Sequence, residues 1–174
     1  MEAENMDKQE IFQFKVTLKH SYPPIWRRFL VRNDISFETL HYVLQHVMGW
    51  GNYHAYEFVV RGERIVNPEG AKPTIFHGKL PATTEVALCQ QLKRIGLKFT
   101  YIYDFGDNWE HEVLFEKRFP FDENQPLPFC IEGELACPPE DCGGIGGFYL
   151  SAANRLSHLY NCIVYFNTAP TNPN

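Results

Sequence analysis

Two runs in which aromatic and polar residues alternate, Lys98 to Phe105 and Trp109 to Lys117, flank the tripeptide Gly106-Asp107-Asn108. A period of two marks strands, and Gly-Asp-Asn supplies turn chemistry, so the segment reads as an antiparallel hairpin. With a three-residue loop, Phe105 faces Trp109, Tyr103 faces His111, Tyr101 faces Val113 and Phe99 faces Phe115. That makes one aromatic face, which needs a second layer to bury it. The other face then sets Asp104 across from Glu110 and Ile102 across from Glu112. Opposed like charges destabilise a sheet by up to about 1 kcal/mol, so this register predicts a neutraliser for Asp104 and Glu110.

The same periodicity places strands at Ile11 to Leu18 and Ile25 to Val31, joined through Tyr22-Pro23-Pro24. A helix follows, capped by Asp34 or Ser36, with Phe37, Leu40, Leu44, Val47 and Met48 on its apolar face and closed by Gly49 and Gly51. Further strands are expected at Tyr56 to Val60 and Arg64 to Val66, an irregular excursion at Pro68 to Pro81, and a second helix from Thr84 to about Ile95. Pro120 to Gly147 reads as a long functional loop. A terminal helix is expected over Phe148 to Val164, with Phe148, Ala152, Leu156, Leu159 and Ile163 on one side. Residues 1–9 and 167–174 read as disordered tails around a single domain, 10–166. Strand, strand, helix, strand and then more strands predicts an α+β fold with a β-grasp (ubiquitin-like) core, an extra antiparallel hairpin and added helices.

No apolar run in the 174 residues reaches the roughly 20 that a membrane-spanning helix needs. The acidic opening is unlike a signal peptide, so a cytoplasmic protein without membrane partners is expected. A net charge of −5 argues against general nucleic-acid binding. The charge is uneven, however. Lys15, Lys19, Arg27, Arg28 and Arg32 meet no acid between Ile11 and Asn33, whereas Tyr101 to Cys142 carries eleven acids against Lys117 and Arg118. The two segments either complement each other or offer two surfaces. The five cysteines, an odd number, are expected to be mostly reduced.

Arg27 and Arg28 are adjacent on a strand and point to opposite faces. The one on the apolar face calls for an internal Arg–Asp bridge, a bound ligand or solvation. Cys137 and Cys142 have a separation seen between zinc-binding cysteines, with His111, His158 or Cys162 available to complete a tetrahedron. The same segment also reads as a stiff Pro-Pro turn. His111 is either a core histidine or a ligand, and His54 lines a pocket beneath Trp50. His41 and His46 are five apart and share no helix face. Trp26, Trp50, Tyr53 and Trp109 stand out as aromatic recognition candidates. No phosphate loop, GxSxG or HExxH pattern is present.

Several blocks resemble the plasmid pRiA ORF-three-like family, also labelled the insertion-element passenger TnpR type. They are Pro23-Pro24-Ile25-Trp26-Arg27-Arg28, Met48-Gly49-Trp50, His54 with Glu57-Phe58, the stretch from Tyr101 to His111, and Ala136 to Gly144. The resemblance covers about residues 11–165. It implies a compact α+β domain associated with plasmids and mobile elements, and it carries over no biochemical activity. A resolvase role is unsupported, since neither a serine-recombinase pattern nor a basic DNA-binding arm is present. Ile145-Gly-Gly-Phe-Tyr149 stands where the family commonly continues with Pro and an acidic helix.

The leading expectation is a non-enzymatic module that binds a protein or peptide partner. Its surface would join the Asp104–Trp109 turn to the Cys137–Gly144 loop, with Arg27, Arg28, Trp50 and His54 nearby. Asp107 and Trp109 would anchor the partner, and Glu140 and Asp141 would supply charge. The competing expectation is a metal-dependent hydrolase or nuclease, in which Asp104, Asp107, His111, Glu140 and Asp141 activate a bound hydroxide. Zinc or another divalent ion on Asp104, His111, Cys137 and Cys142 is the implied cofactor. A third is nucleic-acid binding through Lys15, Lys19, Arg28 and Arg32.

Overall fold

The computed structural model of the chain describes residues 9–69 and 79–153. Strands β1 (Glu10–Leu18) and β2 (Trp26–Arg32) form the first hairpin, followed by helix α1 (Phe37–Met48) and strands β3 (Tyr56–Val60) and β4 (Glu63–Val66). A single helical turn, α2 (Leu88–Gln91), precedes β5 (Lys98–Tyr103), β6 (Trp109–Pro120), β7 (Phe129–Glu134) and helix α3 (Gly144–Ala153). The strands make one seven-stranded sheet in the order β4-β3-β5-β6-β1-β2-β7. Every pairing of named strands is antiparallel. The class is α+β, with sheet predominating. The tail residues 1–8, the excursion at 70–78, and His158, Cys162 and the rest of 154–174 lie outside the described residues. No helix among the described residues is long and apolar enough to cross a membrane.

The core forms because period-two strands meet a period-3.6 helix. Phe12, Phe14, Val16, Phe29, Val31, Phe99, Tyr101, Val113 and Phe115 are buried in one cluster with Phe37, Leu40, Leu44 and Val47 of α1. Phe12 and Phe115 pack as tilted rings with centroids 4.4 Å apart, and Phe58 and Tyr101 likewise at 4.9 Å; such pairs add about 0.5–1.5 kcal/mol beyond burial. Helix α1 is capped by Ser36, whose side chain accepts from the Thr39 amide at 3.1 Å. Asp34 is instead paired with Arg32. Gly49, at φ 80°, ends the helix in the left-handed conformation that glycine adopts without strain.

Four expectations need correction. The hairpin register is displaced by two: Tyr103 pairs with Trp109 and Tyr101 with His111, so the loop is the five residues 104–108. Asp104 leaves the ladder at φ 55°, its carboxylate accepting from Gly106 N at 2.9 Å while its carbonyl accepts from Asn108 N. A shift of two preserves the faces, and the aromatic side stays buried. Glu110 now opposes Ile102 rather than Asp104, and Lys19 neutralises it at 3.2 Å.

The second helix shrinks to Leu88–Gln91, because Ala87 bridges to Ser36 in extended geometry and holds the preceding residues against α1. The stretch from Pro120 to Gly147 is not all loop: β7 adds to the β2 edge. It is an edge strand paired on one side only, and most of its side chains are exposed, so no apolar pattern marks it. Finally, α3 begins at Gly144, four residues before the expected start.

Candidate functional site

Three connections meet at one end of the sheet: residues 49–55 after α1, the turn 104–108, and the loop 135–143. Once Gly49 reverses the chain, Trp50 drops into the core, stacked on Tyr103 at 5.3 Å and beside Trp109 at 5.5 Å. Its indole N–H donates to the Pro138 carbonyl at 2.8 Å, fastening the Pro-Pro segment to the core. Glu140 accepts from Gly51 N at 2.6 Å with one oxygen and from the Tyr103 hydroxyl with the other. Asp107 accepts from Gly143 N at 3.1 Å. Gly144 packs so closely on the Asp107 carbonyl that a Cβ there would sit 2.4 Å from the oxygen. The turn and the Cys137–Gly144 loop are therefore brought together, as the sequence predicts. Asp107, however, spends its carboxylate joining the two, and Glu140 spends its own tying the loop to Gly51 and Tyr103.

Beneath this junction lies a buried polar network that sequence reasoning does not identify. His41 Nδ1 is 2.7 Å from the Tyr101 hydroxyl, and His41 Nε2 is 2.6 Å from Asn52 Oδ1. Gln45 donates to the Tyr101 hydroxyl at 2.9 Å and accepts from Asn52 N at 3.0 Å. With Gln45 donating to the Tyr101 oxygen, the Tyr101 hydroxyl donates a hydrogen bond to Nδ1, so His41 is neutral with Nε2–H donating to Asn52. Burial agrees, holding the His41 pKa down to about 4. Burial also raises Tyr103 above the ordinary phenol range, reinforced by its bond to Glu140. The available signal was the spacing of His41 and Gln45, four apart on the core side of α1.

On the outer surface of the junction, His54, Asp104 and Asp141 converge. Their ligand atoms all lie within 4.8 Å of one another, the one such group of three among the described residues. His54 Nε2 is 3.1 Å from Asp141 Oδ1 and 3.7 Å from Asp104 Oδ2. Nε2 is shut off from solvent yet makes no hydrogen bond; the Asp141 oxygen lies off the line along which an Nε2–H would point. Asp104 and Asp141 both adopt positive φ, at 55° each. Around them Tyr53 and Phe105 are 79% and 56% exposed.

The other candidate residues lie apart from this cluster. Arg27, buried on the core face, makes no Asp bridge among the described residues. Its Nε donates to the Val47 carbonyl in the last turn of α1 at 3.1 Å, and Nη1 donates to the carbonyls of Trp26 and Glu134. A cation suits a helix C-terminus. Its Nη2 lies 3.3 Å from Cys137 Sγ.

Arg28 pairs with Glu116 at 2.7 Å and with Glu132, not with Asp104 or Glu110. Trp109 is 1% exposed and His111 wholly buried, so both belong to the core. Burial lowers His111 to about 4, keeping it neutral.

The expected metal set does not assemble, because Asp104, His111, Cys137 and Cys142 form no common ligand group among the described residues. Burial raises Cys137 to about 11, against the pull of Arg27. Cys142 contacts the Gly144 carbonyl instead, its pKa also raised, first by burial.

In the basic hairpin, Lys19 meets Glu110 and Arg32 meets Asp34. Lys15 lies 4.3 Å over the Trp26 ring. The charge asymmetry of the sequence is thus largely intramolecular complementarity.

Comparison with known proteins bears on the whole arrangement. The family model described as plasmid pRiA4b ORF-3-like protein matches residues 10–158. The uncharacterized protein y4hQ of Sinorhizobium fredii (strain NBRC 101917 / NGR234) is 39% identical over 139 residues, 79% of this chain and 69% of that protein. A crystal structure of a protein of unknown function, MM3350 from Methanosarcina mazei Go1, superposes with a TM-score of 0.77 at 32% identity, covering 87% of this chain and 84% of that one.

Proposed function

The chain belongs to the plasmid pRiA4b ORF-3-like family, and we propose that it is a non-enzymatic cytoplasmic binding module whose recognition surface is the junction of the 104–108 turn with the 135–143 loop. One observation carries this reading. The loop is tied down by Glu140, Asp107 and Trp50, while Tyr53, Phe105 and Asp141 stay exposed around it. A locked frame with exposed aromatic and acidic groups suits a partner with apolar and basic side chains, because little ordering entropy remains to be lost on association. The strand–strand–helix–strand order supports a β-grasp type of core beneath that surface.

The reading is tested by immobilising the full chain and comparing capture from host extract by wild type and by the Tyr53→Ala/Phe105→Ala double variant. A partner retained by wild type and lost by the variant is expected. Equal capture by both proteins overturns the assignment of this surface.

A further inference from the structure

We propose that His54, Asp104 and Asp141 form a site for one divalent transition-metal ion, held through His54 Nε2 and one oxygen of each carboxylate. The inference deepens the binding-module reading and rests on it, since the ion would sit within the same surface. The three residues come from three separate connections, and the fold brings them to one point.

The spacing suits a shared ion. At metal–ligand distances of about 2.0–2.2 Å, neighbouring ligand atoms lie about 3.0 Å apart in an octahedron and about 3.4 Å apart in a tetrahedron. The distances from Nε2 are 3.1 Å and 3.7 Å. An orphaned, solvent-shielded imidazole nitrogen supplies an independent indication. Nε2 faces two carboxylates yet hydrogen-bonds neither, the arrangement expected of a lone pair directed at an ion rather than of an N–H directed at an oxygen. A buried polar atom left unpaired costs free energy that ligation would recover.

The surroundings hold the donors in position. Asp104 uses Oδ1 on Gly106 N, which leaves Oδ2 facing His54. The His54 ring is set edge-on against Tyr103 at 5.8 Å. No lysine or arginine among the described residues pairs with either carboxylate, so a dication would neutralise them. One imidazole and two carboxylates form a borderline-to-hard donor set suited to Zn²⁺ and its first-row neighbours rather than to Ca²⁺. Asp141, with its side chain 70% exposed, leaves the remaining positions open to water or to a donor from a partner.

The test is calorimetric titration of the chelator-stripped full chain with Zn²⁺. Wild type is expected to take up one ion per chain, and His54→Ala and Asp141→Asn each to weaken uptake about tenfold or more. The Cys137→Ser/Cys142→Ser double variant should bind as wild type does. Because Asp141 is exposed, its variant keeps the fold, which thermal melting verifies. Absence of saturable Zn²⁺ uptake by wild type, or uptake unchanged in both ligand variants, overturns the site. Tyr53→Ala/Phe105→Ala should retain the ion. Partner capture without metal uptake would therefore remove only this inference, whereas metal uptake without partner capture would remove only the recognition surface.

Discussion

Two histidines, His41 and His111, are fully buried and held neutral, each with its pKa lowered to about 4 by burial. Their unfolded values lie near 6.5, so below that pH the unfolded chain takes up protons that the folded chain refuses. This contribution to stability is present above pH 6.5 and is lost as pH falls toward 4. Between pH 7 and pH 5 the loss is about 2 kcal/mol for each histidine. Urea denaturation at the two pH values should show it, and His41→Gln should roughly halve it. A flat profile would mean that the imidazoles accept protons in place. The period-two pattern put His111 on the aromatic face and left a core and a ligand role both open, which burial decides for the core. His41 was not, because its partners Tyr101 and Asn52 become neighbours only after the sheet and α1 pack. Asp104 illustrates the same limit, since its turn bonds to Gly106 and Asn108 remove it from the ladder and alternation gives no warning of them.

Periodicity located the long elements well: β1, β2, α1, β3, β5 and β6 lie where alternation or 3.6-residue spacing places them. It missed β7, whose exposed residues follow no apolar pattern and whose place is fixed by what it touches. Gly133 of β7 sits against Arg27, where a Cβ would lie 2.5 Å from the Arg27 Cδ and 3.0 Å from the Trp26 carbonyl. Because Arg27 is bonded to the end of α1, it cannot simply swing aside. Gly133→Ala should destabilise the fold by about 1–3 kcal/mol, measured by chemical denaturation, and an unchanged midpoint would show that β7 shifts freely. The 135–143 loop is the element where sequence and structure agree best about location and least about role. Polar turn residues marked it, but Glu140 faces inward onto Gly51 and Tyr103. Glu140→Ala should cost about 1–3 kcal/mol through two lost charge-assisted bonds and should open residues 137–143 to limited proteolysis. Cleavage no faster than in wild type would argue that Trp50 and Asp107 suffice to hold the loop.

At the scale of the whole molecule, the sheet is covered by α1 on one face, while its other face is tied together by charge. In the order β6-β1-β2-β7, Arg28 of β2 reaches across β1 to Glu116 of β6 and sideways to Glu132 of β7. Glu116 also accepts from Gln13 of β1 at 2.7 Å, so one guanidinium spans four strands. A shallow cavity of about 580 Å³ lines this network, but its polar walls, Gln13, Arg28, Glu116 and Glu132, already satisfy one another. The uneven charge of the sequence thus serves cohesion, and sequence alone could not decide this because strand order was unknown. Arg28→Ala leaves the half-buried Glu116 without its main partner and removes one side-chain clamp on β7, while the backbone ladder between β2 and β7 and the bonds from Arg27 and Trp26 to Glu134 remain. Amide hydrogen exchange should therefore quicken in Phe129–Glu134 and hardly change in β5 or β1, whose amides depend on ladders on both sides. Raising salt should reproduce part of the effect in wild type, since the Arg28–Glu132 limb is exposed enough to be screened. Uniform acceleration across all seven strands would mean that Arg28 supports global stability. No acceleration in β7 would mean that its backbone pairing and the bonds from Arg27 and Trp26 to Glu134 hold it without Arg28.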